Sequence, residues 1–376
     1  MKDATINKPL TILMTTDTVG GVWTYSVELC KSLQPFNVHF HLITTGAPIQ
    51  AAQKAEIARL ANVTVYETDF LLEWMQSPWQ SIDESAAWLV QLAEEIQPDL
   101  VHLNCFVYGS LPWKVPVVMV AHSDVFSWWL AVKESYPPIE WNEYFRRVYK
   151  GLQGADLLIA PSNALLKDIQ KIYLPGAPCK VIYNGISSTR FYPGTKQPVV
   201  SSIGRIWDEA KNIRLLVEAS KNVPYQVRLA GDTSFKNGSF DATGANIVHL
   251  GKLSSASIAR ELSKAAVYAL PAKYEPFGLS VLEAALSGCA LVLGDIASLK
   301  EIWGDCALYV DPHNAAELAR TISHLFENEK LRLQYAQKAM QRAKKYRGAA
   351  MAKNYLRVYS GLLKSKSSLV ETINMI

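Results

Sequence analysis

Between Ala266 and Gly294 the sequence reads AVYALPAKYEPFGLSVLEAALSGCALVLG. The short apolar runs Ala266–Leu270 and Ala290–Gly294 are what strands buried on both faces look like. Between them, Pro276 and Gly278 shape a loop, and Leu279–Leu286 has the composition of a packed helix. Strand, loop, helix and second strand in so short a span make a βαβ unit, whose strands run parallel.

The same alternation extends over the chain. In the first half, strands are expected at Leu10–Thr15, Val38–Thr44, Val63–Tyr66, Leu100–Asn104, Val117–Ala121 and Leu157–Ala160, with helices at Trp23–Leu33, Ser81–Ile96 and Ala164–Ile172. Turn chemistry without periodicity over Ser187–Pro198 marks a linker. The pattern restarts with strands at Val199–Ile203, Tyr225–Ala230 and Ile247–Leu250 ahead of the βαβ unit, and helices at Asn212–Ser220, Ala256–Ser263 and Ala315–Glu327. The expected organisation is α/β: a first domain 1–186, a linker 187–198 and a second domain 199–350, two parallel sheets facing each other across a cleft. Residues 351–376 are expected to cross back and complete the first domain. The linker and this last segment are where opening and closing would occur.

The chain has 376 residues, 49% of them apolar, enough for about two domains, which excludes a peptide hormone or a disordered tail. Its 38 basic and 34 acidic residues, net +4, lack the bias of a dedicated nucleic-acid binder. The charge is unevenly divided. Residues 1–180 hold 13 basic and 18 acidic side chains, net −5, and the remainder 25 and 16, net +9. Any anion is therefore expected in the second half. Lys330–Lys366 is helical by pattern and has eleven basic residues and no acidic one, the composition of a solvated face. Cys30, Cys105, Cys179, Cys289 and Cys306 are scattered and odd in number, which argues against a disulfide framework or a zinc cage. Lys2, Asp3 and Lys8 followed by an apolar run cut short at Asp17 do not make a signal peptide, and no apolar stretch reaches the roughly 20 residues of a membrane span. A cytoplasmic location is expected.

Three motifs carry chemistry. Thr16-Asp17-Thr18-Val19-Gly20-Gly21 joins the first strand to a helix, where glycine lets backbone amides approach an anion; a plain tight turn reads equally well. Neither G-x-G-x-x-G nor G-x-x-x-x-G-K-[ST] occurs, which removes the dinucleotide fingerprint and the P-loop hydrolases. Second, Gly204-Arg205 follows a strand, and Lys211-Asn212 is expected at the next helix's first turn. There the two cations would converge on a doubly charged group such as a diphosphate, against the helix dipole's preference; otherwise both are surface residues. Third, Glu275 and Glu283 bracket a loop entering a helix. Glu283, among apolar and small residues, is expected to accept hydrogen bonds from hydroxyls or a cation, or to pair with Arg205 or Lys211.

Together, in this order and spacing, these motifs resemble the retaining glycosyltransferases of family 4, with the GT-B fold of two Rossmann-like domains. The E-x7-E element carries most of the resemblance, and Pro161-Ser162-Asn163 and Tyr183-Asn184-Gly185-Ile186 also match. The resemblance runs from Leu10 to Leu363 and is strongest between Asn184 and Pro312. It implies that Gly20 and Gly21 face the donor phosphate and that Arg205 and Lys211, beside Gly204, neutralise the diphosphate. Glu275 would hold donor-sugar hydroxyls, Glu283 the ribose hydroxyls, and the amides of Phe277, Gly278, Leu279 and Ser280 the sugar and distal phosphate. The base would lie at Gly251-Lys252-Leu253. His122 matches a histidine that touches the donor sugar near its anomeric centre; by itself it reads equally as a core histidine.

The chemistry agrees. Breaking a glycosyl phosphate bond builds negative charge on a diphosphate, which fixed cations and helix dipoles stabilise. The chain contains no D-x-D, Glu67-Thr68-Asp69 being a near miss, so activity without a divalent metal or other cofactor is expected. In the family, the acceptor attacks from the side the diphosphate leaves and the departing phosphate takes its proton, which retains the anomeric configuration. Eight of ten tryptophans lie in the first half, and Trp128 and Trp129, shortly after His122, are candidate acceptor platforms. The expected partners are a uridine- or guanosine-diphosphate sugar and a sugar, lipid-linked or small-molecule acceptor; membrane association is open but not indicated. Two rival readings are a phosphorylase of the same architecture and a non-catalytic nucleotide-sugar-binding regulator.

Overall fold

The computed structural model describes residues 9–235, 238–239 and 244–373. The Met1–Lys8 start that argued against a leader lies outside them. The chain divides into two compact units. One comprises Met1–Ser127, Tyr136–Gly185 and Gly348–Ile376, and the other Trp128–Ser135 and Ile186–Arg347.

The first unit contains β1 (Leu10–Asp17), β2 (Val38–Thr45), β3 (Val63–Glu67), β4 (Leu100–Leu103), β5 (Val117–Val120), β6 (Leu157–Ala160) and β7 (Cys179–Val181). They form one parallel sheet in the order β3-β2-β1-β4-β5-β6-β7. The connecting helices are α1 (Gly21–Leu33), α2 (Ala51–Ile57), α3 (Trp79–Ile96), α4 (Val125–Val132), α5 (Asn142–Gln153) and α6 (Asn163–Tyr173). Every residue of β4 and β5 is buried, as in parallel sheets covered on both faces.

The second unit holds β8 (Gln197–Ile203), β9 (Gln226–Ala230), a short antiparallel pair β10 (Ser234–Phe235) and β11 (Gly238–Ser239), then β12 (Ile247–Gly251), β13 (Ala265–Leu270), β14 (Ala290–Gly294) and β15 (Leu308–Val310). Its parallel sheet runs β12-β9-β8-β13-β14-β15. The helices are α7 (Ile213–Ser220), α8 (Ser255–Lys264), α9 (Leu279–Leu286), α10 (Ala297–Trp303), α11 (Ala315–Glu327) and α12 (Glu329–Ala343). In each sheet the strand order reverses direction beside the first strand, between β1 and β4 and between β8 and β13. In open α/β sheets, ligands bind outside the carboxyl ends of strands at such switch points.

The helical pattern of Lys330–Lys366 is broken at Lys344–Arg347, after which α13 (Gly348–Ile373) belongs to the first unit. Met351, Ala352, Tyr355, Val358 and Tyr359 on α13 enter the core built by Ile12, Met14, Leu29, Phe40 and Val118. His102, fully buried in β4, donates or accepts at both ring nitrogens, 3.3 Å from the Tyr25 hydroxyl and 2.7 Å from that of Tyr359, which ties the last helix to the sheet. The Ser187–Pro198 stretch is fastened to the second unit: the Gly194 amide donates to Ser263 O at 3.1 Å, and Lys196 Nζ donates to Ser287 O at 2.6 Å and Leu262 O at 3.1 Å.

Candidate active site

In the second unit the candidate residues lie at its own switch point. Where β8 ends, the Gly204 amide donates to Ala230 O at 3.0 Å, and the Gly231 amide to Gly251 O at 2.9 Å. A Cβ on Gly231 would come within 1.7 Å of the Gly204 carbonyl oxygen, so the backbones touch directly here. Asp208 then caps a 3-10 turn, Glu209–Lys211, by accepting from the Ala210 amide at 3.0 Å. Asn212 follows in the left-handed conformation (φ 55°), its Nδ2 donating to Pro271 O at 2.9 Å and Pro312 O at 2.7 Å.

This corrects the expected place of Lys211. It is not on the first turn of α7; it closes the preceding 3-10 turn, with Asn212 intervening as N-cap. A cation suits the end of a turn, so the expected dipole cost is absent. Lys211 Nζ forms an ion pair with the Glu275 carboxylate, both partners largely shielded from solvent. Arg205 donates to Asp208 Oδ2 at 2.8 Å, with its guanidinium 5.5 Å from the Trp207 ring centroid, while its Nε is buried without a partner among the described residues. Burial pushes the Asp208 carboxyl up, but Arg205 and Lys211 together hold it below the usual range. The two cations are thus each braced by a carboxylate, and Arg205 keeps an unspent donor for an acceptor atom.

Glu275 is buried, and its carbonyl accepts from the Ser298 hydroxyl at 2.6 Å. Gly278 enters α9 at φ 85°, a left-handed conformation that a side chain would strain, and no side chain caps the helix. The first-turn amides at Leu279 and Ser280 therefore lack intrahelical partners. The Tyr268 hydroxyl holds Ser280 Oγ at 2.8 Å. Phe277 is core, edge-on to Tyr346 at 5.6 Å, so only its backbone can serve a ligand.

Glu283 sits one turn into α9, half-buried. It pairs with neither Arg205 nor Lys211, since Lys211 is taken by Glu275. Burial pushes its carboxyl up to about 7, with Arg190 pulling back. Lys252 is exposed and 3.8 Å from Asp232, and Leu253 is half-buried.

In the first unit, Gly20 (φ 87°) and Gly21 are exposed at the end of β1, with the Val19 amide donating to Asp17 Oδ1 at 2.6 Å. His122, after β5, is half-buried, its Nε2 2.8 Å from Asn104 Oδ1 and its ring 4.5 Å from that of Tyr25. Burial pushes the imidazole down to about 3, helped by His102. Trp128 and Trp129 lie in α4, but the segment Trp128–Ser135 groups with the second unit, where the Trp128 indole N–H reaches Asp208 Oδ1 at 3.4 Å. Sequence reasoning missed Asp208, Arg190 and Asn104. Only Asp208 left a signal, as a turn-capping residue ahead of Lys211. Among the described residues no cluster of three or more His, Cys, Asp or Glu could hold a metal ion, and no helix is long and apolar enough to cross a membrane.

Two Rossmann-like halves with cations and glutamates at a switch point suit an anionic ligand, and the comparisons give the class as sugar-transferring. The family described as Glycosyltransferase Family 4 matches residues 19–190, and Glycosyl transferases group 1 matches residues 190–342. The chain belongs to the family 4 type of glycosyltransferases, with the GT-B fold. Among curated relatives, N,N'-diacetylbacillosaminyl-diphospho-undecaprenol alpha-1,3-N-acetylgalactosaminyltransferase of Campylobacter jejuni is 32% identical over 45% of this chain and 46% of its own length. Alpha-maltose-1-phosphate synthase of Mycolicibacterium smegmatis is 25% identical over 76% and 79%. The match covers about half the length of the Campylobacter enzyme and of the Arabidopsis thaliana sulfoquinovosyl transferase. Among solved structures, sucrose-phosphate synthase from Thermosynechococcus elongatus superposes with TM-score 0.81 at 17% identity, covering 95% of this chain and 100% of that one. Anabaena HepE in complex with UDP-glucose gives TM-score 0.73 at 19% identity, covering 94% and 100%.

Proposed function

We propose that the chain moves a sugar from a nucleotide-diphosphate sugar to an acceptor hydroxyl with retention of configuration and without a divalent metal. The observation that carries this is the pair of braced cations, Arg205 on Asp208 and Lys211 on Glu275, at the carboxyl edge of β8 and β13. A diphosphate leaving group gains negative charge as the glycosyl bond breaks. Cations already fixed in place, with the free amides at the start of α9, stabilise that charge with little reorganisation. Glu275 and Glu283 supply acceptors for the hydroxyls of sugar and ribose. His122, neutral and half-buried, is assigned to the donor sugar. The leaving phosphate takes the acceptor's proton, so no separate base is required.

The test is direct. Purified protein is incubated with UDP-glucose or GDP-mannose and a panel of hexose phosphate, disaccharide and polyprenyl-diphosphate-sugar acceptors, before and after dialysis against EDTA. The expected result is release of the nucleoside diphosphate with an α-linked product at an unchanged rate after chelation. A β-linked product defeats retention, loss of rate on chelation defeats metal independence, and sugar phosphate formed from inorganic phosphate points to the phosphorylase. The UDP and UDP-glucose complexes of Anabaena HepE make uridine the first donor to try.

A further inference from the structure

In the first unit β4 and β5 pair in parallel, which sets the residues after them, Asn104 and His122, at the same carboxyl edge. Asn104 is held at three atoms. Its amide N–H donates to Thr15 Oγ1 at 3.0 Å. Its Nδ2 donates to the Thr15 carbonyl oxygen at 2.8 Å and reaches Ser26 Oγ at 3.4 Å, a hydroxyl that already accepts from Thr16 at 2.9 Å. A carbonyl oxygen can only accept, so the side-chain NH2 must face Thr15 and Oδ1 must face the other way. Oδ1 lies 2.8 Å from His122 Nε2. An amide oxygen is again only an acceptor, so Nε2 carries the hydrogen and Nδ1 is the bare nitrogen. The Tyr25 ring lies 4.5 Å from the imidazole in an edge arrangement, and Nδ1 meets no donor among the described residues. Burial pushes the imidazole down to about 3, which keeps it neutral.

We propose that Asn104 is a positioning residue that locks His122 in the Nε2–H tautomer, so that Nδ1 accepts a hydrogen bond from a hydroxyl of the sugar substrate. The proposal rests on the reading of His122 as a sugar-contacting residue. A purely structural Asn104, serving only to join β1 to the loop after β4, would leave the tautomer and the turnover of a folded variant untouched.

The full chain labelled with 15N-histidine is examined at pH 7 without substrate, the His122 resonances being identified by their loss in His122→Gln. The expected pattern is a protonated, pyrrole-type Nε2 and an unprotonated, pyridine-type Nδ1. In Asn104→Leu the two tautomers should mix and kcat should fall roughly 10²-fold, the scale of a misplaced group, with a smaller change in donor KM. Where that variant does not fold, Asn104→Ala replaces it, with the Oδ1 acceptor removed and the same mixing of tautomers and fall in kcat expected. An Nδ1–H tautomer or an imidazolium in the wild type overturns the proposal, as does a folded Asn104→Leu within about twofold of wild-type turnover. If the wild type transfers no sugar at all, the functional reading fails, while the lock itself is judged on the resonances.

Discussion

Lys211 and Glu275 form an ion pair whose side chains are only 17% and 9% exposed, joining the turn after β8 to the loop after β13. The pair spans the switch point of the second sheet, so it both closes the fold there and fixes a cation where an anionic ligand would dock.

Breaking such a pair on one side strands a charge in a shielded place. Lys211→Met should cost about 3 kcal/mol of stability and weaken UDP binding. Adding Glu275→Gln should restore most of the stability and none of the binding. Thermal melts with and without UDP separate the two effects; wild-type UDP affinity in Lys211→Met would remove the cation from the mechanism.

His122→Ala should keep its fold, because the residue is half-buried and gives up one ring contact, with Tyr25, and one hydrogen bond, with Asn104. Turnover should nonetheless fall roughly 10²-fold. Circular dichroism checks the fold, and a near-normal kcat refutes the role.

Glu73 is buried and accepts from the amides of Phe106 and Val107, each at 3.0 Å. Burial outweighs those two hydrogen bonds and pushes its carboxyl from 4.5 up to about 7. The folded chain therefore holds a proton that the unfolded chain releases between these values. The stability it contributes is complete below pH 4.5 and is lost as pH rises through 7, on the order of 3 kcal/mol. Glu283 titrates the same way. His102 and His122, both held down to about 3, change stability in the opposite direction over this range, so the test is a difference. Between pH 5 and pH 8 in urea unfolding, Glu73→Gln should lose less stability than wild type by about 3 kcal/mol, and adding Glu283→Gln should widen that difference. A Glu73→Gln curve parallel to wild type would show that Glu73 ionises normally.

Gly231→Ala and Gly251→Ala make a controlled comparison at neighbouring strand ends. Both positions have positive φ, 143° and 63°. A Cβ at 231 meets the Gly204 carbonyl at 1.7 Å, whereas one at 251 meets nothing within 4 Å. Gly251→Ala should cost about 1 kcal/mol from backbone strain alone. Gly231→Ala should cost more than about 3 kcal/mol and disturb Arg205, one residue beyond the contact. Equal losses in chemical denaturation would mean that the strand end yields.

The strands were legible because they are short, apolar and buried on both faces. Ala290–Gly294 is the same segment in sequence and structure, and β4 and β13 differ from expectation by one terminal residue. Residues 123–156 were less readable: α5 mixes Arg146, Arg147 and Lys150 with Tyr144 and Val148, and its buried face shows only once α5 is packed. The short β7 and β15 carry too few residues for a periodic signal. At the site, residue types were legible and partners were not. Glu283 was weighed against Arg205 and Lys211, yet the charge that acts on it is Arg190, from a stretch that reads as a linker.

The order of apolar runs, the glycines at strand ends and the two glutamates around Pro276 and Gly278 determined by themselves that this chain builds two parallel α/β sheets and belongs among the sugar transferases. Those features are local, set by the side-chain period of one segment or the backbone freedom of one residue. Which cation meets which carboxylate, which nitrogen of His122 bears hydrogen and where Lys211 stands relative to α7 were decided only by tertiary structure. Each depends on atoms far apart in the chain, brought together when the sheets fold and excluded from the water that would otherwise satisfy them.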